Sequence, residues 1–303
     1  MPPKGRRAKA SSSSTASGEA ANAGLGDKGC VPGPVNLAGL FQFPQQVYDD
    51  LFKQDKDGDV MLSRVLSLLR GKVTVTSDYS GMRCWEQALE LCVGTLQKNG
   101  AEFPSHPLEY WRVCHLDPTV RRILLDWTDK QSVPKHVFGD INDRIPPVHR
   151  ERLDATEIQG STPQEKAAVY KQIHQYIYEH KHEIYTTGNA SYCYKHNAQC
   201  PVQPVIDGPE GMKRPLICNG AGTTCCGWST RNTSQMRGHA HPAQRPFGIW
   251  KCERAQVQDD FWFHENAKQF PEAEFQPPEG HESAHKHELI TIVVGPEDLG
   301  WPI

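Results

Sequence analysis

The chain has 303 residues, a formal net charge of −3 and 37% hydrophobic residues. That length has room for one large domain or two small ones, and the near-neutral balance gives no global signal for a polyanionic partner. No run reaches the roughly 18 apolar residues of a membrane span, and the N-terminus lacks the apolar core of a secretory signal. Ten cysteines at irregular spacings then point to reduced thiols in a soluble intracellular protein, not to a disulfide framework.

Residues 1–34 are mostly Ser, Ala, Gly and Pro with scattered charge. They carry too little apolar surface to offset the entropy of ordering, so a disordered tail is expected. Its PKGRRAK cluster suits nuclear import or a nucleic-acid tether as well as plain solubilisation. Residues 35–71 read as a helical lead-in, with PQQVYDDLFKQ and VMLSRVLSLLR as two short helices. Between them DKDGD opens like a calcium loop. Val60 stands where the sixth-position Gly belongs, and Leu66 where the bidentate Glu belongs, so an acidic turn is expected.

From Lys72 onward, short apolar runs alternate with turns and stretches of helical period. The runs are KVTVTSD, YWRVCHLD, HVFGD, LICNGAG, DDFWFHEN and ELITIVVGP; WEQALELCVGTLQKNG and PTVRRILLDWTDK are among the helical stretches. The pattern predicts an α/β layered sheet, with ligands bound at the carboxyl ends of its strands. Residues 147–215 break the alternation and read as a mostly helical insertion between two halves of one domain, 72–146 and 216–303. In the insertion Thr162-Pro163-Gln164-Glu165 is a capping-box start for a long helix.

Two stretches carry chemistry. Cys193, His196 and Cys200 have a Cys-x2-His-x3-Cys spacing. Three soft ligands this close could hold a structural zinc with a fourth such as Cys218 or His182, or they could be buried residues of a small lobe. The other stretch, LICNGAGTTCCGWSTRN, is an apolar strand that runs into small residues and then presents Cys225. By residue type alone Cys225 could be a nucleophile, a metal ligand or an inert core residue. GHESAHKHE, near the C-terminus, reads as a solvated loop.

GTTCCGWSTRN resembles the Gly-Pro-Pro-Cys-Gln-x-Phe-Ser signature of the cytosine-5 DNA methyltransferase family, and further stretches fall in that family's order. VTSDYSGMRC resembles its first AdoMet-binding turn, which implies Tyr79, Ser80 and Gly81 as cofactor contacts. VFGDIND resembles the strand end whose Asp meets the adenine, here Asp140. FWFHENAKQF resembles the Glu-Asn-Val strand, which puts the catalytic carboxylate on Glu265 beside Asn266, 40 residues after Cys225. VVGPEDLGWPI resembles the approach to the Gly-x-Pro-Gln-x-Arg-x-Arg segment. The resemblance implies a Rossmann-like AdoMet-dependent methyltransferase sheet with helices on both faces, S-adenosyl-L-methionine as cofactor and DNA as partner; with the PKGRRAK cluster, an intracellular and nuclear location is expected. RNA is the related alternative.

The implied chemistry needs these residue types. Cytosine C5 is too weak a nucleophile to take a methyl group until a thiolate adds at C6. A carboxyl group near N3 neutralises the charge that builds there and reads the flipped base. Cys225 and Glu265 match that division of labour. In the loop Trp228–His241, Arg231 and Arg237 are candidates for phosphate contacts.

Several positions depart from the family's pattern. His115 or Asp117 stands where an acid usually grips the ribose, Arg83-Cys84 replaces a common Gly-Gly, and Thr223-Thr224 replaces Pro-Pro. The chain ends inside the last resembling segment, so a truncated relative is expected, with weak or no trapping of a cytosine analogue. The competing readings are an inactive methyltransferase-fold remnant kept as a binding or regulatory module, and a zinc-containing nucleic-acid adaptor.

Overall fold

The computed structural model describes residues 37–103, 105–127, 132–204, 215–234, 236–257, 259–281 and 287–293. The N-terminal tail with its basic cluster lies outside the described residues. The lead-in folds as α1 (Leu37–Tyr48), a π-type turn (Asp49–Gln54) and α2 (Gly58–Arg70). DKDGD makes the turn between them, with Gly58 N–H donating to Asp55 O at 3.1 Å. A Cβ at Gly58 would overlap the Phe52 carbonyl, so glycine is required there.

The remaining elements follow in chain order: β1 (Val73–Asp78), α3 (Cys84–Lys98), β2 (Leu108–Cys114), α4 (Pro118–Leu125), β3 (His136–Phe138), α5 (Pro147–Glu157), α6 (Pro163–Glu179), α7 (Lys181–Ile184), β4 (Ala190–Cys193), β5 (Ala198–Pro201), β6 (Leu216–Gly222), α8 (Gln244–Val257) and β7 (Phe261–Glu265). The strands form one seven-stranded sheet in the order β5-β4-β3-β2-β1-β6-β7. The five strands from β3 to β7 run parallel, and β4 is antiparallel to both β3 and β5. Chain order reverses between β1 and β6, and in open α/β sheets such a reversal opens a crevice at the strands' carboxyl ends.

Alternation along β1 divides the core between the two faces. Val73 and Val75 pack with Val93 of α3, Leu108, Tyr110 and Cys218. On the other face Thr76 and Asp78 meet Asn219, whose side-chain oxygen accepts from Trp250 of α8. Helices therefore cover both faces, as a sheet buried on both sides requires.

Two expectations change here. The segment read as an insertion contributes β4 and β5 to the sheet edge. It also contributes α6, whose buried Val169, Ile173 and Ile177 join Trp250 and Phe138 in the largest apolar cluster. Its helical period was legible; its two short strands, broken by His and Lys, were not. ELITIVVGP forms no strand in its described part, where Ile290 and Ile292 are exposed. The Thr162–Glu165 capping box forms on α6. Among the described residues no helix is long and apolar enough to cross a membrane, and the nine described cysteines are free thiols.

Candidate active site

The parallel strands bring most of the singled-out residues to one rim. After β1 the chain turns through Tyr79, Gly81 and Arg83, with φ of 57°, 52° and 66°. Only the glycine takes this left-handed geometry without cost. Ser80 ties the turn to β2: its N–H donates to Cys114 O at 2.9 Å and its Oγ accepts from Cys114 N–H at 3.0 Å. Tyr79 packs back against the α8 cluster. The Arg83 side chain, which stands where a glycine is common, is buried, with its guanidinium 4.6 Å from the Trp127 ring and 5.2 Å from that of Tyr110.

Beyond β2, Asp117 caps α4. It accepts from Thr119 N–H at 2.7 Å and Val120 N–H at 3.1 Å, and the Val120 and Thr119 amides hold its carboxyl below the usual range. His115 Nδ1 accepts from Asp117 N–H at 3.1 Å, and burial lowers the ring's pKa. Asp117, not His115, is thus the charged group at this strand end. Beyond β3, Asp140 Oδ1 accepts from Asn142 N–H at 2.9 Å and Asn142 Nδ2 at 2.8 Å. Both bonds fall on one oxygen of the carboxylate.

On the other side of β1, β6 leads through Thr223 and Thr224 into a one-turn 3-10 helix, Cys225–Gly227. Cys225 and Cys226 are both exposed. The Trp228 and Ser229 amides donate to Cys225 O at 2.9 and 2.8 Å and close the turn. Glu265 pairs with Gly222 in the β6–β7 register, and a Cβ at Gly222 would lie 3.4 Å from Glu265 Oε2. Three residues span at most about 10 Å, so Cys225 and Glu265 share one end of adjacent strands. Thr223 staples the two: its Oγ1 bonds His264 Nε2 at 2.7 Å and accepts from Asn266 Nδ2 at 2.9 Å. Burial lowers the His264 pKa to about 4, so the ring is neutral near pH 7. In the loop that follows, Arg231 and Arg237 are exposed, and Arg237 donates to Ser229 O at 3.1 Å.

Beneath the rim lies a charge cluster that the sequence reading missed. Asp78, Arg112, Arg144, Glu253, Arg254 and Asp259 are all 2% exposed or less. Arg112 bridges Asp78 at 3.1 Å and Glu253 at 3.3 Å. Arg144 bridges Glu253 at 2.7 Å and also pairs with Asp78, and Arg254 pairs with Glu253 at 2.8 Å and with Asp259. Three carboxylates face three guanidiniums, so the cluster is neutral overall. Arg112 and Arg144 hold the Asp78 carboxyl well below its usual range despite burial. Asp78 directly precedes Tyr79, and Arg144 ends the turn that Asp140 starts, so the cluster fixes both ends of the candidate cofactor rim. The available signal was Arg112 inside YWRVC, because a charge in a buried strand demands a partner.

The Cys193, His196 and Cys200 side chains also converge, and the fourth donor beside them is His136 of β3, with all four donor atoms within 4.8 Å of one another. Neither expected fourth ligand is there: Cys218 is buried in mid-strand between Val75 and Phe261, and His182 is exposed on α7. Sequence spacing could not supply His136, because sheet pairing brings it in from 57 residues upstream of Cys193. A cavity of about 450 Å³ between α6, α8 and residues 273–279 contains none of the residues named at the rim or at this cluster. No protein-family model and no curated protein matches the chain by sequence.

Proposed function

We propose that this rim is the centre of an AdoMet-dependent cytosine-5 methyltransferase, on a Rossmann-like methyltransferase sheet, with DNA as substrate. The supporting observation is the pairing of Gly222 with Glu265, which leaves a thiol-bearing turn and a carboxylate at the same end of neighbouring strands. The residues along the rim suit the cofactor. Ser80 and Gly81 would meet its methionine end, Asp117 its ribose hydroxyls and the free oxygen face of Asp140 its adenine. When bound, the cofactor supplies an electrophilic methyl group.

The chain's own residues would do the rest. The Cys225 thiolate adds to C6 of a flipped cytosine, and Glu265 protonates N3 as charge builds there. That addition makes C5 nucleophilic. Loss of the C5 proton to water after methylation, and return of the N3 proton to Glu265, expel the thiolate and restore the ring. Arg231 and Arg237 suit phosphate contacts on the same side.

The test uses the covalent adduct. DNA carrying 5-fluorocytosine, incubated with AdoMet, should form a denaturation-resistant complex, slowly given the altered first turn. The adduct should vanish in Cys225→Ser and persist in Cys226→Ser. No adduct from the wild-type chain on either DNA or RNA would sink the proposal. One observation favours a second reading, a binding module without turnover: the Asp117 and Asp140 carboxylates already serve as caps. Calorimetry separates the two, because AdoMet binding without any adduct fits the module and not the enzyme.

A further inference from the structure

We infer that His136, Cys193, His196 and Cys200 form a zinc site that clips the β4–β5 hairpin onto β3. Three of the four ligands come from one hairpin. Cys193 ends β4, Cys200 lies in β5, and His196 stands in the connecting turn beside Asn197, whose φ of 53° reverses the chain. The fourth ligand comes from the neighbouring strand. In a tetrahedral site with Zn–S near 2.3 Å and Zn–N near 2.0–2.1 Å, adjacent sulfur and nitrogen ligands stand about 3.6 Å apart. His196 Nδ1 lies 3.6 Å from Cys193 Sγ and 3.3 Å from Cys200 Sγ, so the donors already have nearly the spacing a zinc ion would set.

The surroundings fit a metal better than an apolar core. Cys193 is fully buried, Cys200 is 8% exposed and His136 is 9% exposed. Buried polar groups are ordinarily hydrogen-bonded, yet His136 Nδ1 has no hydrogen-bond partner among the described residues. The Val137 amide donates to Cys193 Sγ at 3.4 Å, a contact that stabilises a thiolate and orients it as a ligand. Two thiolates and two imidazoles at a closed site select zinc over harder cations, and the absence of an open position makes its role structural.

The clip bears on the rim. The hairpin carries Tyr194, whose N–H donates to Val137 O at 2.8 Å. Its ring covers Gly139, where a Cβ would sit 2.9 Å from the ring edge, and is stacked on by Arg121 at 4.3 Å. Zinc thus holds an aromatic wall against the residue next to Asp140.

The site can be tested without any activity. The full chain, reconstituted with zinc and desalted, should hold about one zinc per chain by elemental analysis, falling to background in Cys193→Ser/Cys200→Ser. Cobalt in place of zinc should give the intense visible bands of a tetrahedral site with thiolate charge transfer. His196→Cys, a change at an exposed position that keeps four ligands, should retain the metal and strengthen the charge-transfer band. Background zinc in the reconstituted wild type, an octahedral cobalt spectrum, or a His196→Cys spectrum identical to wild type would overturn the assignment.

Discussion

Thr223 serves two neighbours with one hydroxyl, bonding His264 Nε2 and accepting from Asn266 Nδ2, and it is 5% exposed. Thr223→Val keeps the shape and removes both hydroxyl bonds between the Cys225 turn and the end of β7, leaving Asn266 Nδ2 only its 3.3 Å contact with the Thr223 main-chain oxygen. Losing a hydrogen bond at a partly buried group costs about 1 kcal/mol, which denaturant unfolding would register. The effect on the proposed chemistry should be larger, because a small misplacement of a nucleophile lowers rate steeply. Adduct formation should slow by about tenfold or more, and Thr223→Ser should recover most of it. Equal adduct rates in the valine variant and the wild type would show that the staple does not position Cys225.

At the scale of elements, two glycines set how closely helices approach the sheet and each other. Gly248 on α8 faces the ring of His174 on α6, and Gly220 on β6 faces the ring of Trp85 on α3; a Cβ at either would overlap that ring. Trp85 is itself held, stacked on Phe263 of β7 at 5.1 Å. Gly248→Ala and Gly220→Ala should each destabilise by about 1–3 kcal/mol through forced repacking, measured by chemical denaturation. The capping box on α6 is exposed and independent of these contacts, so Thr162→Ala should cost only about 1 kcal/mol. A Gly248→Ala penalty no greater than that of Thr162→Ala would mean the α6–α8 approach is looser than the geometry implies.

At the scale of the molecule, the buried charge cluster joins β1, β2, the turn after β3 and α8 around a neutral sum. Asp78→Asn keeps the shape and leaves an uncompensated guanidinium charge, for which the expected loss is about 3–5 kcal/mol. A second change, Arg144→Gln, should restore part of that loss, because it returns the cluster toward neutrality. Additive penalties in the double variant would show that Asp78 and Arg144 are not coupled.

The protein's acid response follows from the same buried interior. Burial lowers the pKa of His174 to about 3 and of His264 to about 4, against an unfolded value near 6.5. Between those limits the unfolded chain takes up protons that the folded chain refuses, so stability falls as pH drops from about 6.5 toward 3–4 and is unaffected by these groups above that window. His174→Gln keeps a donor for Gln244 O, to which His174 Nε2 bonds at 2.6 Å, and should flatten the slope of stability against pH. An unchanged slope would show that His174 titrates normally.

The alternation of apolar runs and helical periods was enough to establish an α/β layered sheet, because strand and helix patterns are local consequences of which side chains must face inward. The capping box was legible for the same reason, whereas Tyr79, Asp117, Asp140, Cys225 and Glu265 were singled out through the family resemblance, at or just beyond the ends of apolar runs that form strands. The described part of ELITIVVGP forms no strand, because β-branched composition describes what a pleated surface tolerates, and not whether a neighbouring strand pairs with it. What the tertiary structure alone decided depends on partners distant in the chain. Pairing of β3 with β4 brings His136 to Cys193 and His196, Arg112 finds Asp78 and Glu253 across two other elements, and the segment read as an insertion closes the sheet edge. Periodicity specifies which face of an element is buried, but a ligand or a counter-ion is chosen by the pairing of elements, and that pairing is fixed only when the whole core assembles.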